Sequence, residues 1–284
     1  MTTITAILTS HNRCESTIEC LRCLERADTV DAVTIMAVLV DDDSIDGTAY
    51  AIAKRFPWVQ IVKGNGALFW NRGMHRGMEV AMRMSSEYLL WLNDDTYLFD
   101  DAVQCLIRTS DNLMNELGQP VIVVGTTSDR ASQPTYGGMV SAGGWRPLTF
   151  HKVWHEFEPV ECEAMNGNVV LIPSEIARTV GNLDPVFEHA MGDIDYALRA
   201  RKHGFRVFVA PGFVGVCSKN PGQQMFFDAS LPLSERWKKF MHKKGLPPKS
   251  WFQLTRRHGG WFWPLYFAWP YVRVLVASFV RNDR

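Results

Sequence analysis

The chain has 284 residues, of which 46% are hydrophobic, and this suits one large domain or one domain with an appendage. Thirty basic and thirty acidic side chains give a formal net charge of zero, so the charge balance gives no reason to expect a nucleic-acid partner. No basic segment precedes a long apolar core in the first residues, so we expect a first strand there, not a signal peptide. We therefore expect a cytoplasmic protein whose six cysteines are reduced.

Strands and helices are predicted to alternate through residues 1–125. Apolar runs predict strands at 4–9, 33–40, 59–63, 88–92 and 121–125, and periodicity predicts helices at 17–26, 47–55, 73–84 and 102–117. This alternation favours an α/β fold with a doubly wound, mostly parallel sheet. In the first helix, Cys20 and Cys23 have the spacing of a zinc or redox pair. No second pair follows at zinc-finger spacing and the neighbours are helix-periodic, so helix packing is favoured.

Beyond residue 125 the elements become shorter. Glycine-rich turns are expected at 136–145, strands at 169–172 and 205–210, and helices at 191–203 and 231–244. His151 and His155 would share a face if their segment were helical, as zinc ligands do, but the glutamate of a zinc protease is absent.

Acidic residues follow two of the predicted strands. The two groups are Asp41-Asp42-Asp43 after residues 33–40, and Asn93-Asp94-Asp95 after residues 88–92. Ligands of open α/β sheets bind beyond the carboxyl ends of strands, and clustered carboxylates repel unless a cation compensates them. Oxygen ligands of this kind suit Mg²⁺ or Mn²⁺. Strand alternation would place Asn93 and Asp95 on one side and Asp94 on the other, while turns and helix caps remain alternative roles.

A third acidic pair, Asp193 and Asp195, begins the predicted helix 191–203. Residues two apart on a helix point roughly 200° apart, so only one of them faces a site squarely. A first-turn aspartate also interacts favourably with the helix dipole, so a structural role is an alternative for each.

Five segments of the chain resemble the family 2 glycosyltransferases, which use the GT-A fold. In chain order they are Ile7-Leu8-Thr9-Ser10-His11-Asn12-Arg13, Val40-Asp41-Asp42-Asp43-Ser44-Ile45-Asp46-Gly47-Thr48, Asn71-Arg72-Gly73-Met74, Leu92-Asn93-Asp94-Asp95 and Gly192-Asp193-Ile194-Asp195-Tyr196-Ala197-Leu198-Arg199-Ala200-Arg201. The fourth looks like a variant of the metal-binding Asp-x-Asp motif, and the fifth is similar to the segment that carries the base. The resemblance covers about residues 4–217. Within this family, the chain resembles bacterial members of rhamnosyltransferase type, which build surface polysaccharides.

The resemblance implies an inverting hexosyltransferase that moves a sugar from a nucleotide diphosphate sugar to a hydroxyl of a glycan or lipid-linked glycan, with Mg²⁺ or Mn²⁺ as cofactor. It implies Asp193 as the general base and Asp95 as the metal ligand. The expected donor-nucleotide contacts are Thr9, Asn12, Arg13, Asp41, Asp43, Asn71 and Asp94. The expected contacts to the donor sugar or the acceptor are Asn166, Gly167, Trp145 and Asp195.

The implied architecture is a GT-A-type mixed sheet flanked by helices, with an aromatic-rich helical extension. We expect a catalytic domain at 1–228, divided into a nucleotide-binding half at 1–125 and an acceptor and base half at 126–228. The C-terminal extension is expected at 229–284.

Three positions depart from the family pattern. Asn93 replaces the first acid of the metal motif, and Gly192 replaces the glutamate before the base. Cys217 stands where many relatives have a histidine, which leaves a third metal ligand open. A non-catalytic GT-A-like scaffold is therefore one alternative. A sugar-phosphate nucleotidyltransferase is another, but residues 9–13 lack the glycine-rich basic loop of that class.

Residues 261–280 form an aromatic segment with three Trp, three Phe, two Tyr and one charge, Arg273. Its length is about that of a membrane span, but Pro264 and Pro270 interrupt it, and Trp and Tyr favour the membrane interface. Because basic residues flank it, we expect residues 260–284 to lie on the inner face of the cytoplasmic membrane. Packing on the catalytic domain, a homo-oligomer interface and a true span are the alternatives.

Overall fold

The computed structural model describes residues 1–27, 33–218, 231–243 and 245–279. The predicted domain boundary between residues 228 and 229 lies outside the described residues, as does the end of the extension after residue 279.

The described elements alternate as the sequence predicts in the first half of the chain. The strands are β1 Thr2–Ser10, β2 Val33–Asp41, β3 Val59–Lys63, β4 Tyr88–Leu92, β5 Tyr97–Leu98, β6 Val121–Val124, β7 Thr127–Ser128, β8 Gly138–Ser141, β9 Phe150–Val153, β10 Val160–Cys162, β11 Ala164–Met165, β12 Val169–Pro173, β13 Arg206–Val209 and β14 Gly215–Val216. The helices are α1 Cys14–Ala27, α2 Thr48–Arg55, α3 Phe69–Ala81, α4 Ala102–Leu117, α5 Ser174–Val180, α6 Gly192–Lys202, α7 Leu233–Met241, α8 Pro248–His258 and α9 Trp263–Phe279, with a 3₁₀ turn at Gly260–Phe262.

A mixed eight-stranded sheet forms the centre, in the order β10-β13-β6-β12-β4-β1-β2-β3. β1, β2, β3 and β4 are parallel neighbours, as are β6 and β13, while β12 lies antiparallel between β4 and β6. The predicted doubly wound, mostly parallel fold is confirmed. In the register, Ser10 lies opposite Asp41, and Ile7 lies opposite Trp91. The ends of β1, β2 and β4 therefore meet at one edge of the sheet.

Two helices begin earlier than periodicity predicts because acidic side chains from a distant loop cap them. α1 begins at Cys14, where the backbone N–H donates to Asp46 Oδ2 at 2.9 Å. α3 begins at Phe69, and the N–H groups of Leu68 and Phe69 donate to Asp42 Oδ2 at 2.9 and 3.3 Å. A cap from a residue more than twenty positions away leaves no local sequence signal at the helix start.

The cysteine and histidine pairs have structural positions. Cys20 and Cys23 are buried in α1 within the core cluster on that side of the sheet, as helix packing predicts. His151 lies on strand β9 and His155 follows it, so the two do not share a helix face. His155 Nδ1 instead accepts the backbone N–H of Glu158 at 3.1 Å.

The C-terminal extension is helical, and it includes α8, which the sequence analysis does not predict. Pro248 occupies the first turn of α8, where its missing N–H costs no hydrogen bond. The aromatic segment forms α9, which packs against α8 through Phe267 and Phe252, whose ring centroids are 5.7 Å apart. Within the described parts of the chain, no helix has the length and apolar character that crossing a membrane requires.

The extension is joined to α6 through Asp195, whose side chain is 0% exposed. Its carboxylate accepts hydrogen bonds from Arg199 Nε at 2.9 Å, from Arg257 at 2.7 and 2.8 Å and from His258 Nε2 at 2.9 Å. Arg257 also donates to Asp184 Oδ2 at 2.7 Å. Burial alone would raise the pKa of Asp195, but these donors and charges lower it below its usual value.

Replacement of Arg257 by methionine should destabilise the protein. The variant Arg257→Met leaves a buried carboxylate with fewer compensating charges, so the free energy of unfolding should fall by about 3 kcal/mol in urea titrations at pH 7. Arg256→Met is the matched control because Arg256 is exposed on the same helix, and it should change stability by less than about 0.5 kcal/mol.

The stability difference between Arg257→Met and the wild-type protein should also depend on pH. Because the pKa of Asp195 is lowered by folding, its stabilisation is present above the unfolded pKa and is lost as pH falls through the folded pKa. The two proteins should therefore converge in acid. Equal losses for both arginine variants at pH 7 would contradict the assignment.

Candidate active site

The acidic loop after β2 is partly structural. Asp42 is buried, and its carboxylate accepts backbone N–H groups from four residues at 2.8–3.3 Å: Asn65, Gly66, Leu68 and Phe69. Asp46 accepts the N–H groups of Cys14 and Thr48. Burial would raise the pKa of Asp46, but hydrogen bonds from Thr48 and Cys14 lower it below its ordinary value. These two acids organise the loops around the sheet edge.

The other two acids of this loop are the predicted nucleoside contacts. Asp41 ends β2, is 5% exposed and accepts the Ser44 N–H at 3.3 Å. Asp43 has φ of 57° and a side chain that is 54% exposed, with Lys63 Nζ 3.7 Å from Oδ1. Asp43 thus presents an accessible carboxylate at the carboxyl edge of the sheet.

Thr9 and Asn12 lie in the first strand and the loop after it. A Cβ atom on Gly73 of α3 would lie 2.2 Å from Thr9 Oγ1, so the Thr9 side chain packs beneath α3. Asn12 Oδ1 accepts the Ile45 N–H at 2.8 Å, and its own N–H donates to Ser44 Oγ at 2.9 Å. Asn12 therefore fixes the first loop against the loop after β2.

Arg13 binds both acids that follow β4. Its guanidinium donates to Asp94 Oδ1 at 2.9 Å and to Asp95 Oδ2 at 2.8 Å. Burial, together with the charge of Asp95, raises the pKa of Asp94 to about 6, although Arg13 opposes the shift. The predicted placement of Asp94 and Asp95 on opposite sides is wrong, because β4 ends at Leu92 and the following residues turn toward one guanidinium.

Trp70 connects this acidic end to the base end of the site, and the sequence analysis did not select it. Its indole Nε1 donates to Asn93 Oδ1 at 2.6 Å. A Cβ atom on Gly167 would lie 2.3 Å from the Trp70 ring, so only glycine allows this approach. Its position directly before the Asn71-Arg72-Gly73 motif is the one sequence signal that could have identified it.

Asp193 lies on the other side of Gly167, in the first turn of α6. Its Oδ2 accepts the Gly167 N–H at 3.0 Å and its Oδ1 accepts the Ile194 N–H at 2.9 Å. Burial raises the pKa of Asp193, and these backbone hydrogen bonds oppose the shift only in part. A half-buried carboxylate with a raised pKa has the properties of a general base.

Asn71 was predicted to contact the donor nucleotide and Asp195 to contact the donor sugar or the acceptor, but both side chains have structural roles. Asn71 is 0% exposed, and its Nδ2 donates to the backbone oxygens of Asp184 and Phe187 at 2.9 and 2.8 Å. Asp195 is buried and bonded to Arg257. Since neither side chain reaches the surface, neither can contact a bound donor in this conformation.

The departures at Gly192 and Asn93 have local structural reasons. A Cβ atom on Gly192 would lie 1.6 Å from Asn71 Oδ1, so the buried amide leaves no space for the glutamate found in relatives. Asn93 Oδ1 is the acceptor for Trp70. Both departures therefore have a packing or hydrogen-bonding reason in this chain.

Two further predicted residues lie around the hairpin β8–β9. The Asn166 N–H donates to Gly137 O at 2.9 Å, which fixes the loop that carries Gly167. Trp145 is exposed in the turn between β8 and β9, and its ring packs 5.9 Å from Phe262 of the C-terminal extension. Its ring contact is with the extension.

Asp95 is the predicted metal ligand, and its side chain is 17% exposed. Its Oδ2 accepts a hydrogen bond from Arg13, and its Oδ1 has Cys217 Sγ at 3.7 Å. Burial, followed by the charge of Asp95, raises the pKa of that thiol to about 12, so Cys217 is neutral. Among the described residues, no group of three His, Cys, Asp or Glu side chains could enclose a metal. Mg²⁺ or Mn²⁺ held by this one carboxylate would need substrate phosphates and water as its other ligands, so the metal role of Asp95 stays a prediction.

Comparisons with known proteins bear on the family and the fold of the chain. The sequence profile of glycosyl transferase family 2 matches residues 5–160. The crystal structure of S. aureus TarS 1-349 is similar, with a TM-score of 0.55 and 11% identity over 90% of this chain and 70% of that chain. The structure of GalNAc-T7 with UDP, GalNAc and Mn²⁺ has a TM-score of 0.56 and 14% identity over 78% of this chain and 44% of that chain.

A search of curated protein sequences finds no match to this chain. At such low identity the two structures establish the fold alone, and the profile, which spans more than half of the chain, establishes the family. The chain therefore belongs to glycosyl transferase family 2 and has a GT-A fold.

Proposed function

We propose that this glycosyltransferase moves a sugar, with inversion, from a nucleotide diphosphate sugar to a hydroxyl of a glycan or lipid-linked glycan. One observation carries the proposal: Trp70 holds the acidic turn with Asp95 at one end and the loop beside Asp193 at the other. One edge of the sheet would thus offer an anchor for a diphosphate and a carboxylate with a raised pKa.

The donor nucleoside is assigned to the ends of β1 and β2. Asp41 would contact the base, and the exposed carboxylate of Asp43 would accept from ribose hydroxyls. Thr9 and Asn12 would act through their backbone, because their side chains pack against α3 and Ile45. Arg13 supplies positive charge for the diphosphate, with a side chain that is 43% exposed.

We assign to Asp193 the role of general base in the transfer step. The acceptor oxygen bonds to the anomeric carbon and loses its proton to the Asp193 carboxylate, while the bond to the diphosphate breaks and its electron pair leaves with the diphosphate. Attack opposite the leaving group inverts the anomeric centre. The Gly167 and Ile194 N–H groups hold the carboxylate in place for this transfer.

A divalent cation completes the proposed site. Asp95 would hold it together with donor phosphates and water, and when bound it stabilises the negative charge on the departing diphosphate. The Mn²⁺ in the GalNAc-T7 structure supports this choice by analogy of fold. Mg²⁺ suits the same oxygen ligands.

We also propose a cytoplasmic enzyme that works at the inner face of the membrane in polysaccharide synthesis. The catalytic domain would be 1–228 and the aromatic extension 229–284 would face the lipid. A lipid-linked acceptor suits an enzyme with this arrangement.

Asp193→Asn should abolish transfer and leave donor binding unchanged, because the amide cannot accept the acceptor proton. After a panel of nucleotide sugars has identified the donor, kcat should fall by about 10²–10⁴-fold, while the donor Kd from calorimetry stays the same. Glu175→Gln, an exposed change on α5, is the control. Normal turnover by Asp193→Asn would remove the base assignment.

The rate of sugar transfer should fall at low pH, where Asp193 becomes protonated. Burial raises the pKa of this base, so kcat/KM should fall tenfold per pH unit below a pKa that is higher than the usual value of about 3.9. The measurement is kcat/KM against pH, with circular dichroism to confirm that the protein stays folded. A profile that is flat down to the usual aspartate pKa would contradict the proposal.

EDTA should arrest transfer, and Mg²⁺ or Mn²⁺ should restore it. Asp95→Asn should weaken Mn²⁺ binding in the presence of a nucleoside diphosphate by about tenfold or more, because one anionic ligand is lost. Isothermal calorimetry measures this, and Asp100→Asn, whose side chain is 77% exposed, is the control. Full activity in EDTA would exclude the metal.

A further inference from the structure

The C-terminal extension exposes a concentration of large apolar side chains. Six of the sixteen exposed large apolar residues in the described parts of the chain lie between Phe252 and Val272. Trp261 is 98% exposed, and Leu265 and Trp269 are 65% and 64% exposed. A soluble surface seldom groups such residues unless it binds something.

Most exposed side chains described on α9 form one stripe. Leu265, Ala268, Trp269 and Val272 recur at the three- and four-residue spacing of a helix face, and the exposed Arg273 lies beside them. The opposite face is occupied by protein: Phe267 packs on Phe252, and Tyr271 donates to Leu246 O at 3.1 Å. The helix therefore presents outward a face that is apolar except for one basic residue, while its other face is anchored.

The segment that carries the apolar stripe has charges of one sign only. Residues 245–279 contain no Asp or Glu, and they include the exposed basic residues Lys249 and Arg256. A pocket of about 250 Å³ beside the 3₁₀ turn is lined by Arg201 and Lys202 of α6 and by Leu148. Trp145, which is 79% exposed, extends the apolar surface from Phe262.

We propose that this face, formed by Trp145, Trp261, Phe262, Leu265, Trp269 and Val272, docks on a lipid bilayer whose headgroups are anionic. Tryptophan is suited to the membrane interface, where its ring contacts acyl chains and its N–H remains hydrated. Each basic residue near an anionic surface adds attraction. The docking face rests on the membrane location proposed above and deepens it by naming the contact residues and the charge of the lipid; lipid binding itself requires no donor, acceptor or metal.

A second copy of the chain is the competing occupant, and the charge pattern argues against it. In a symmetric dimer the same patch meets itself, so the basic side chains of Lys249 and Arg256 would face a patch in which residues 245–279 offer no acidic partner. An anionic bilayer compensates these charges.

The test is co-sedimentation of the full-length protein with vesicles of phosphatidylcholine alone, or of phosphatidylcholine with phosphatidylglycerol. The wild-type protein should bind the anionic vesicles more tightly. The triple variant Trp261→Ser, Leu265→Ser, Trp269→Ser should lower the partition coefficient by about tenfold or more on both vesicles. Tyr50→Ser with Phe157→Ser changes exposed aromatic residues elsewhere and should bind as wild type.

A second pair of variants separates charge from apolar burial. Lys249→Gln with Arg256→Gln should weaken binding to the anionic vesicles by about tenfold and leave binding to phosphatidylcholine unchanged. Lys54→Gln with Arg55→Gln, exposed on α2, is the matched control.

Three outcomes would overturn the docking face. They are wild-type protein that stays in the supernatant with both vesicles, an aromatic triple variant that binds normally, and a wild-type dimer that this variant converts to a monomer without lipid. Sugar transfer to a soluble acceptor is measured in parallel, so failure of docking and failure of the proposed function are distinguishable.

Discussion

A carboxylate removed from water must be surrounded by donors or cations, and this constraint organises both ends of the site. Asp42 meets it with backbone N–H groups, and by doing so it fixes the loop that starts α3. Asp195 meets it with two guanidinium groups and an imidazole, which join α6 to α8. Asp193, two residues earlier, receives two backbone N–H groups and forms no ion pair with another described residue. The first turn of α6 therefore holds two aspartates with opposite pKa shifts. Asp195 has a lowered pKa and anchors α8 to α6, whereas Asp193 has a raised pKa and can accept a proton.

Glycine at two positions allows the two ends to approach each other. Gly167 leaves room for the Trp70 ring, and Gly192 leaves room for the Asn71 amide. Because Trp70 and Asn71 are neighbours on α3, the two contacts together fix this helix start against both the base loop and the beginning of α6. A side chain at Gly192 would displace Asn71 from the backbone oxygens of Asp184 and Phe187, and thereby loosen the segment before the base. The departure from the family pattern is thus tied to packing in this chain.

The sequence was sufficient to predict the sheet and the positions of the strand-end acids, because buried parallel strands are apolar runs that end abruptly. It could not separate acids that bind ligands from acids that hold loops, because the distinction depends on partners distant in sequence. Asp42 and Asp43 are adjacent, yet one is enclosed by N–H groups and the other is exposed. Asn71 matches a family motif and is nevertheless buried. Trp70 was missed because its role arises from contacts with Asn93 and Gly167, which are distant in sequence. Arg257 and His258 were missed because their roles arise only where α8 meets α6. The early starts of α1 and α3 were missed for the same reason, since Asp46 and Asp42 cap them from another loop.

Neighbouring residues on α8 link the outer surface of the extension to the base. Successive residues on a helix point about 100° apart, so Arg256 can face solvent while Arg257 reaches inward. Arg257 bonds Asp195 and Asp184, on α6 and on the segment before it. α9, in turn, packs on α8 through Phe267 and Phe252. Packing contacts and hydrogen bonds therefore connect α9, which carries the exposed stripe, through α8 to α6, which carries Asp193 in its first turn. If a membrane surface holds α9, these contacts would fix the orientation of Asp193 relative to that surface. Such an orientation would suit an acceptor whose hydroxyl lies at a constant height above the bilayer.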